Sequence, residues 1–250
     1  MALGLAIGAH PHYHHKEPSG KMTPHLDLSS IEAVVFDFDG TLAETKIDFA
    51  KMRRLIIEHL KHWDIWEDGL EQDRYVLDII KAGCEKLAQD ADAVSRFQAG
   101  ADAILEQVEL ETCASAHPFP GVVEALQQLH ANGFKVGIVT RNCRAGVASV
   151  TSRYHLHHDL LSTRDDVTRV KPDPDHFRRA VEQLAADPRR TVMIGDHITD
   201  VQGVNGTGAI AIGVLTQKTT REEFDAVGAN IVFDDVPAAV AAIIEARTCR

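Results

Sequence analysis

A regular alternation of short apolar runs with amphipathic stretches is the feature that most constrains this fold. The first run, residues 31–36, is apolar and β-branched in character and leads directly into Asp37. Similar runs lie at residues 134–140, 191–195, 209–215 and 230–233. Helix-like stretches accompany them at residues 122–130, 145–154, 174–185, 219–227 and 237–246. This alternation predicts an α/β fold with a doubly wound, Rossmann-like parallel sheet that helices cover on both faces.

Residues 46–116 interrupt the alternation, because they contain no strand-like run. Their apolar residues recur at helical spacing, for example at Met52, Ile56 and Leu60 and again at Phe97, Ala101 and Val108. Stripes of this spacing predict the packed faces of helices. We therefore expect a small all-helical cap domain inserted after the first strand. The catalytic core would then comprise residues 31–45 and 117–250, which the chain re-enters through the proline-rich residues 118–121.

Residues 1–30 differ in composition from the rest of the chain. They hold a histidine-rich run at residues 10–15, together with three prolines and three glycines. We expect a flexible leader outside the fold, with a metal-binding tract as the alternative. The apolar start has no basic residue before it, unlike a secretory signal. The four cysteines are widely scattered rather than arranged as a disulfide framework, so we expect a reducing, cytoplasmic location.

The composition excludes several classes of protein. Of the 250 residues, 44% are hydrophobic and 25% are charged, which is the balance of a globular rather than a disordered chain. No apolar stretch reaches the roughly 18 residues that span a membrane. The formal net charge of −11 repels a phosphate backbone, so we expect no nucleic-acid partner. A small phosphorylated ligand is compatible with this charge, because a metal ion or a lysine can reverse it inside one pocket. The sequence carries no signal for the oligomeric state.

Polar residues follow the predicted strands at the edge where sheets of this class bind ligands. Singly, such residues are most often turn, cap or surface residues. The set comprises Asp37, Asp39, Gly40, Thr41, Thr140, Arg141, Asn142, Lys171, Asp196 and Asp200. Their combination at one edge indicates a functional site.

The acidic members of this set predict a magnesium site. Asp37 and Asp39 are two residues apart, and their carboxylates would repel each other unless a cation or a shared proton intervened. Asp196 can add a further oxygen ligand, and an all-oxygen set beside an anionic substrate suits Mg²⁺. The hydroxyl of Thr140 can donate to a phosphate oxygen, and Lys171 can neutralise the charge of the phosphate. The sequence therefore predicts a site for Mg²⁺ and a phosphate group.

The strand-end segments resemble the motifs of the haloacid-dehalogenase superfamily of phosphohydrolases, over about residues 31–246. The inserted segment resembles the helical cap of phosphoglycolate-phosphatase-like members. The resemblance implies that Asp37 is a nucleophile forming an aspartyl-phosphate and that Asp39 is the general acid and base. The implied substrate-binding residues are Gly40, Thr41, Thr140, Arg141, Asn142 and Lys171, although Arg141 and Asn142 could equally cap the next helix. The implied metal ligands are Asp37, Asp196 and the carbonyl oxygen of Asp39, with Asp200 as a ligand or as a support.

The expected activity is Mg²⁺-dependent hydrolysis of a small phosphomonoester resembling phosphoglycolate. A sugar phosphomutase shares the motifs and is the main alternative. A phospho-accepting receiver domain is more distant, because it requires neither Asp39 nor the insertion. A non-catalytic module that binds a phospho-ligand is also more distant, because it would be expected to have lost one of Asp37, Asp39, Lys171 or Asp196. Asp39 also argues against a dehalogenase or a phosphonatase. In the cap, Arg53 or Arg54 could bind a second anionic group of the substrate, whereas the simpler interpretation is a solvated basic face.

Overall fold

A parallel sheet forms the centre of the protein. The computed structural model describes residues 27–70, 72 and 74–248, so the histidine-rich run lies outside the described residues. The strands are β1 (Ala33–Phe36), β2 (Ala43–Glu44), β3 (His117–Pro118), β4 (Lys135–Val139), β5 (Leu160–Ser162), β6 (Thr191–Gly195), β7 (Ile210–Val214) and β8 (Ile231–Phe233). Strands β2 and β3 pair with each other, and the other six form one sheet in the order β5-β4-β1-β6-β7-β8.

Helices occupy the segments between the strands. They are α1 (Phe49–His62), α2 (Val76–Lys86), α3 (Ala91–Ser115), α4 (Val122–Ala131), α5 (Arg144–Arg153), α6 (Pro174–Gln183), α7 (Ile198–Gln202), α8 (Arg221–Ala226) and α9 (Val236–Thr248). No helix in the described part of the chain is long and apolar enough to cross a membrane.

All pairings in the six-stranded sheet are parallel. Strand β1 lies in the interior, where Val35 pairs with Gly137 of β4 on one side and with Met193 of β6 on the other. In chain order the six strands are arranged 3-2-1-4-5-6, the order of a doubly wound sheet. The predicted fold class is therefore confirmed.

Alternate residues of β1 face opposite sides of the sheet and bury themselves in two separate cores. Val34 and Phe36 belong to a core that also includes residues of α4, α5 and α9. Val35 belongs to the other core, with Phe177 of α6 and Phe224 of α8. Each buried side chain of this size contributes about 1.5–3 kcal/mol to folding. The sheet is thus packed on both faces, and this packing fixes the edge that carries the strand-end residues.

Helices α1, α2 and α3 fill residues 46–116 and pack around their own apolar cluster. Met52, Ile56 and Leu60 of α1 are buried there with Phe97 of α3. Helix α3 continues toward the sheet, and Cys113 near its end joins the sheet core. The chain leaves the sheet region along β2 and returns along the antiparallel β3. The helical cluster is therefore connected to the sheet at one place, by two adjacent segments and by the end of α3.

Candidate active site

The predicted acidic residues meet where the strand order reverses. Asp37 follows β1 and Asp196 follows β6, and these strands are neighbours in the sheet. Ligands bind in the crevice outside the carboxyl ends of strands at such a switch point. The backbone of Asp37 is fixed there, because its N–H donates to the carbonyl of Ile194 at 2.9 Å.

Three carboxylates form a compact acidic cluster at this point. Asp37, Asp196 and Asp200 each offer an oxygen atom within 4.8 Å of the others, and all three residues are buried. Lys171 lies beside them, with its Nζ 2.8 Å from Asp37 Oδ1 and 2.7 Å from Asp200 Oδ1. The structure thus brings together Asp37, Lys171, Asp196 and Asp200, which are far apart in the sequence.

Burial makes the negative charge of this cluster costly. It raises the pKa of Asp37, and together with the charges of Asp37 and Asp200 it raises the pKa of Asp196 to about 8. Burial also opposes the positive charge of Lys171, but Asp200 and Asp37 outweigh it and raise the pKa of the lysine. One lysine faces three carboxylates, so the cluster retains an excess of negative charge when it is ionised.

The donor set fits a divalent cation such as Mg²⁺. Buried carboxylate oxygens with excess negative charge are the ligands that a hard cation prefers. Asp200 is already engaged on both oxygens, because Oδ1 contacts Lys171 and Oδ2 accepts from the backbone N–H of His197 at 3.1 Å. Asp37 and Asp196 are therefore the better ligands, with Asp200 as the residue that holds Lys171. The carboxylate of Asp39 lies outside this cluster.

Gly40 and Thr41 shape the position of Asp196. The Thr41 hydroxyl donates to Asp196 Oδ1 at 2.7 Å and accepts from the Asp196 backbone N–H at 3.0 Å. Gly40 has a φ of +81°, and a β-carbon there would stand 2.5 Å from Asp196 Oδ2. The structure thus places Thr41 against Asp196, while its predicted contact with phosphate stays a prediction.

Asp39 is held by three side-chain donors. Its Oδ1 accepts from the Thr45 hydroxyl and from Asn142 Nδ2, both at 2.8 Å, and its Oδ2 accepts from the Thr140 hydroxyl at 3.0 Å. Burial and the charge of Asp37 nevertheless raise the pKa of Asp39. Thr140 and Asn142, predicted as phosphate ligands, therefore contact the second aspartate directly in this structure.

A cavity of about 610 Å³ opens above these residues, between the sheet edge and the helical cluster. Its lining from the sheet side includes Asp37, Asp39, Gly40, Arg141, Asn142, Asp196 and His197. Tyr75, just before α2, reaches across to this side: its ring lies 5.2 Å from the Arg141 guanidinium and 6.1 Å from the His197 ring. The side chain of Arg141 is therefore positioned at the cavity wall.

The two cap arginines considered from the sequence differ in position. Arg53 lines the cavity, and its Nη2 donates to the carbonyl of Arg74 at 2.7 Å. Arg54 instead pairs with Glu58 on the exposed side of α1, at 3.0 Å. Of the two arginines, it is thus Arg53 that lies where a substrate could reach it.

Two residues at the site, Tyr75 and Glu109, escaped the sequence analysis, and Thr45, which follows the first strand-end motif, was expected to have no catalytic role. Glu109 of α3 lines the cavity and forms a buried ion pair with Arg164, and it also accepts from the backbone N–H of Cys143 at 3.0 Å. Burial raises the pKa of Glu109, whereas the hydrogen bond from Arg164 lowers it. None of these residues follows a predicted strand. Only Glu109 had an available signal, because it occupies one position of a helical stripe whose other members, Ala101, Leu105 and Cys113, are apolar.

Comparison with curated proteins finds relatives that span most of this chain. It is 28% identical over 217 residues to the pyrophosphatase PpaX of Bacillus mycoides, covering 82% of this chain and 93% of the relative. It is 26% identical over 216 residues to the N-acetylmuramic acid 6-phosphate phosphatase of Pseudomonas aeruginosa, with 82% and 91% covered. It is 28% identical over 220 residues to the phosphoglycolate phosphatase of Caulobacter vibrioides, with 82% and 89% covered.

Solved structures share the fold. A hydrolase from Pseudomonas syringae superposes with a TM-score of 0.60 at 22% identity, covering 86% of this chain and 98% of that one. CbbY from Rhodobacter sphaeroides, solved in complex with phosphate, superposes with a TM-score of 0.57 at 23% identity, with 83% and 95% covered. The family model for haloacid dehalogenase-like hydrolases matches residues 31–208, which include every predicted site residue. The chain thus belongs to the haloacid dehalogenase-like hydrolase family.

Proposed function

We propose that this protein is a Mg²⁺-dependent phosphatase that hydrolyses a small phosphomonoester through an aspartyl-phosphate at Asp37. The observation that carries the proposal is the contact of Lys171 with both Asp37 and Asp200, directly beside Asp196 and below an open cavity. A carboxylate can approach a phosphate anion only where nearby positive charge offsets the repulsion. Lys171 supplies that positive charge in direct contact with the Asp37 carboxylate.

In the proposed reaction Asp37 attacks phosphorus and displaces the alcohol, whose oxygen takes a proton from Asp39. Asp39 then accepts a proton from the water that cleaves the aspartyl-phosphate. The raised pKa of Asp39 suits the first role, and its three donors stabilise the ionised form that the second role requires. Mg²⁺ held by Asp37, Asp196 and the Asp39 carbonyl would offset charge on the transferred group.

The names of the relatives support a small substrate. Pyrophosphate, N-acetylmuramic acid 6-phosphate and phosphoglycolate are all small phosphorylated molecules, and they are named for proteins similar to this one. A cavity of about 610 Å³ accommodates molecules of this size range. We therefore propose a small phosphorylated metabolite as the substrate, without a nucleic-acid partner.

The test is phosphate release from p-nitrophenyl phosphate and from a panel of metabolite phosphomonoesters, with Mg²⁺ and after exhaustive chelation. Asp37→Asn removes the nucleophile's charge at constant size and should lower turnover by at least about 10³-fold. Asp92→Asn, on the exposed start of α3, is the matched control and should retain activity. Turnover by Asp37→Asn within about tenfold of the parent protein would contradict the proposal, and so would full activity after chelation.

A further inference from the structure

The cap side of the cavity is largely apolar, with Lys46, Arg53 and Glu109 as its charged residues. Its lining there includes Ile47, Phe49, Met52, Tyr75, Val76 and Leu105. The opposite side carries the carboxylates of Asp37, Asp39 and Asp196. A phosphate group placed at Asp37 therefore has its ester-linked group directed toward an apolar wall, because that wall closes the cavity opposite the carboxylates.

Two rings in this wall are unusually exposed. Among the described residues, the large apolar side chains that remain exposed are Phe49 at 59%, Tyr75 at 45% and Leu110 at 40%. Phe49 and Tyr75 both line the cavity, whereas Leu110 does not. Exposed apolar surface concentrated at one concave place marks a site where something else covers it.

The rings are held by the surrounding structure. Phe49 is the first residue of α1, and Asp48 caps that helix by accepting from the backbone N–H of Lys51 at 2.8 Å. Tyr75 stands against Arg141 and His197 of the sheet side. The backbone that carries Phe49 is therefore fixed by the helix cap, and the Tyr75 ring is positioned by its neighbours, so the two rings present an apolar surface to the cavity.

Among the described residues, four cationic side chains line the cavity: Lys218 and three that are engaged with protein groups. Lys46 pairs with Glu44 at 3.2 Å, Arg53 donates to the Arg74 carbonyl, and Arg141 lies over the Tyr75 ring. Glu109 adds a further carboxylate to the lining. A two-carbon acid such as glycolate would leave the apolar wall in contact with water, so the wall favours a larger and less polar group.

We propose that the alcohol portion of the substrate carries an apolar or aromatic ring that packs against Phe49 and Tyr75. The inference rests on the proposed phosphatase function and narrows its substrate class. The wall is continuous with the catalytic carboxylates in one cavity, so the same molecule can occupy both ends. The occupant is thus the leaving group itself rather than a separate ligand.

The experiment compares benzyl phosphate, propyl phosphate and phosphoglycolate, which are all esters of primary alcohols. Burial of the phenyl ring should give benzyl phosphate a kcat/KM at least about tenfold above that of propyl phosphate. Phe49→Ala and Tyr75→Ala should each reduce that preference to within about threefold of unity. Leu110→Ala removes an equally exposed apolar side chain outside the cavity and should leave all three values unchanged.

Binding of benzylphosphonate and propylphosphonate by calorimetry separates this inference from the proposed function. If no ester is hydrolysed, yet benzylphosphonate binds more tightly and Phe49→Ala removes the difference, the apolar site stands and the phosphatase proposal falls. If the esters are hydrolysed but phosphoglycolate is preferred to benzyl phosphate, the inference is overturned and the phosphatase stands. An equal loss for all three esters in Phe49→Ala, with its melting temperature unchanged, would also overturn it.

Discussion

A network of hydrogen bonds from neighbouring side chains orients the Asp39 carboxylate. Asn142 donates to it through Nδ2, while Asn142 Oδ1 accepts from the backbone N–H of Cys143 at 2.8 Å. The Asn142 backbone N–H donates to the Thr140 hydroxyl at 3.0 Å, and that hydroxyl donates to Asp39. Each group in this chain has its donor and acceptor roles fixed by a neighbour. The result is a carboxylate whose orientation is set before substrate arrives.

Removing one of these donors should alter the pH dependence of turnover. In Asn142→Ala the ionised form of Asp39 loses a hydrogen bond, so the pKa of Asp39 rises further above its usual range. Asp39 must be ionised to act as the proposed base. As the pH falls, the variant therefore loses activity at a higher pH than the parent protein does. We expect kcat to fall about tenfold more at about pH 5.5 than at about pH 8. Asn132→Ala, at the end of α4, is the control; equal losses at both pH values would contradict the assignment.

Sequence alone could indicate the residues that directly follow strands, since the topology of a parallel sheet brings strand ends together. Asp37 and Asp196 meet as expected, and they are joined by Lys171 from the loop before α6 and by Asp200 of α7. Thr45 and Tyr75 could not be found in this way. Thr45 follows the two-residue strand β2, which the sequence does not reveal. Tyr75 reaches the site through the path of the inserted segment, which depends on how three helices pack rather than on any local pattern.

At the scale of elements, helix α3 connects the helical cluster to the sheet through a buried ion pair. The side chains of Glu109 and Arg164 are only 6% and 7% exposed. Arg164 also lies against the loop after β4, where its backbone N–H donates to the Asn142 carbonyl at 3.4 Å. The pair therefore ties α3 to the loop that carries Thr140, Arg141 and Asn142.

Breaking this pair should destabilise the protein strongly. Glu109→Gln leaves the buried charge of Arg164 without its carboxylate, and we expect the free energy of unfolding to fall by about 3–5 kcal/mol. Glu106→Gln makes the same chemical change at an exposed position of the same helix and should cost less than about 0.5 kcal/mol. Urea denaturation of both variants measures the difference. A loss in Glu109→Gln as small as that in Glu106→Gln would show that the pair does not hold the helix.

The elements themselves were predictable to different degrees. Long apolar runs identified β1, β4, β6 and β7, because strands buried on both faces need uninterrupted apolar sequence. The edge strand β8 was identified from its β-branched and aromatic residues. Strand β5 was missed, since it offers only two apolar residues, Leu160 and Leu161, and neither is β-branched. The two-residue strands β2 and β3 were also missed, because their pairing depends on a contact between segments about 70 residues apart.

For the molecule as a whole, the acidic cluster links stability to pH and to metal. The carboxyl of Asp196 ionises near its ordinary pKa of 3.8 in the unfolded chain but near 8 in the folded protein without metal. The folded state thus holds more protons between these values, and the contribution of Asp196 to stability falls as pH rises through this range. The raised pKa of Asp37 acts in the same direction.

Magnesium should reverse this loss most strongly where the carboxylates are ionised. At a concentration of about 100 times its Kd, a ligand of the folded state adds about 2.7 kcal/mol. We expect the rise in melting temperature on adding Mg²⁺ to be larger at about pH 8 than at about pH 6, because protons compete with the metal. Asp196→Asn should abolish the rise, while Asp92→Asn should retain it. A rise that is equal at both pH values, or that survives in Asp196→Asn, would place the metal elsewhere.

The position of β1 between β4 and β6 determines when this strand can pair during synthesis of the chain. Val35 leaves the ribosome before its partners Gly137 and Met193, which follow about 100 and about 160 residues later. At about 5–20 residues per second, the first partner arrives at least about five seconds after the strand it joins. The intervening helices make mostly local contacts and can form during that wait. An apolar segment with two open edges is thus exposed to chaperones and to other nascent chains until β4 and β6 have been made.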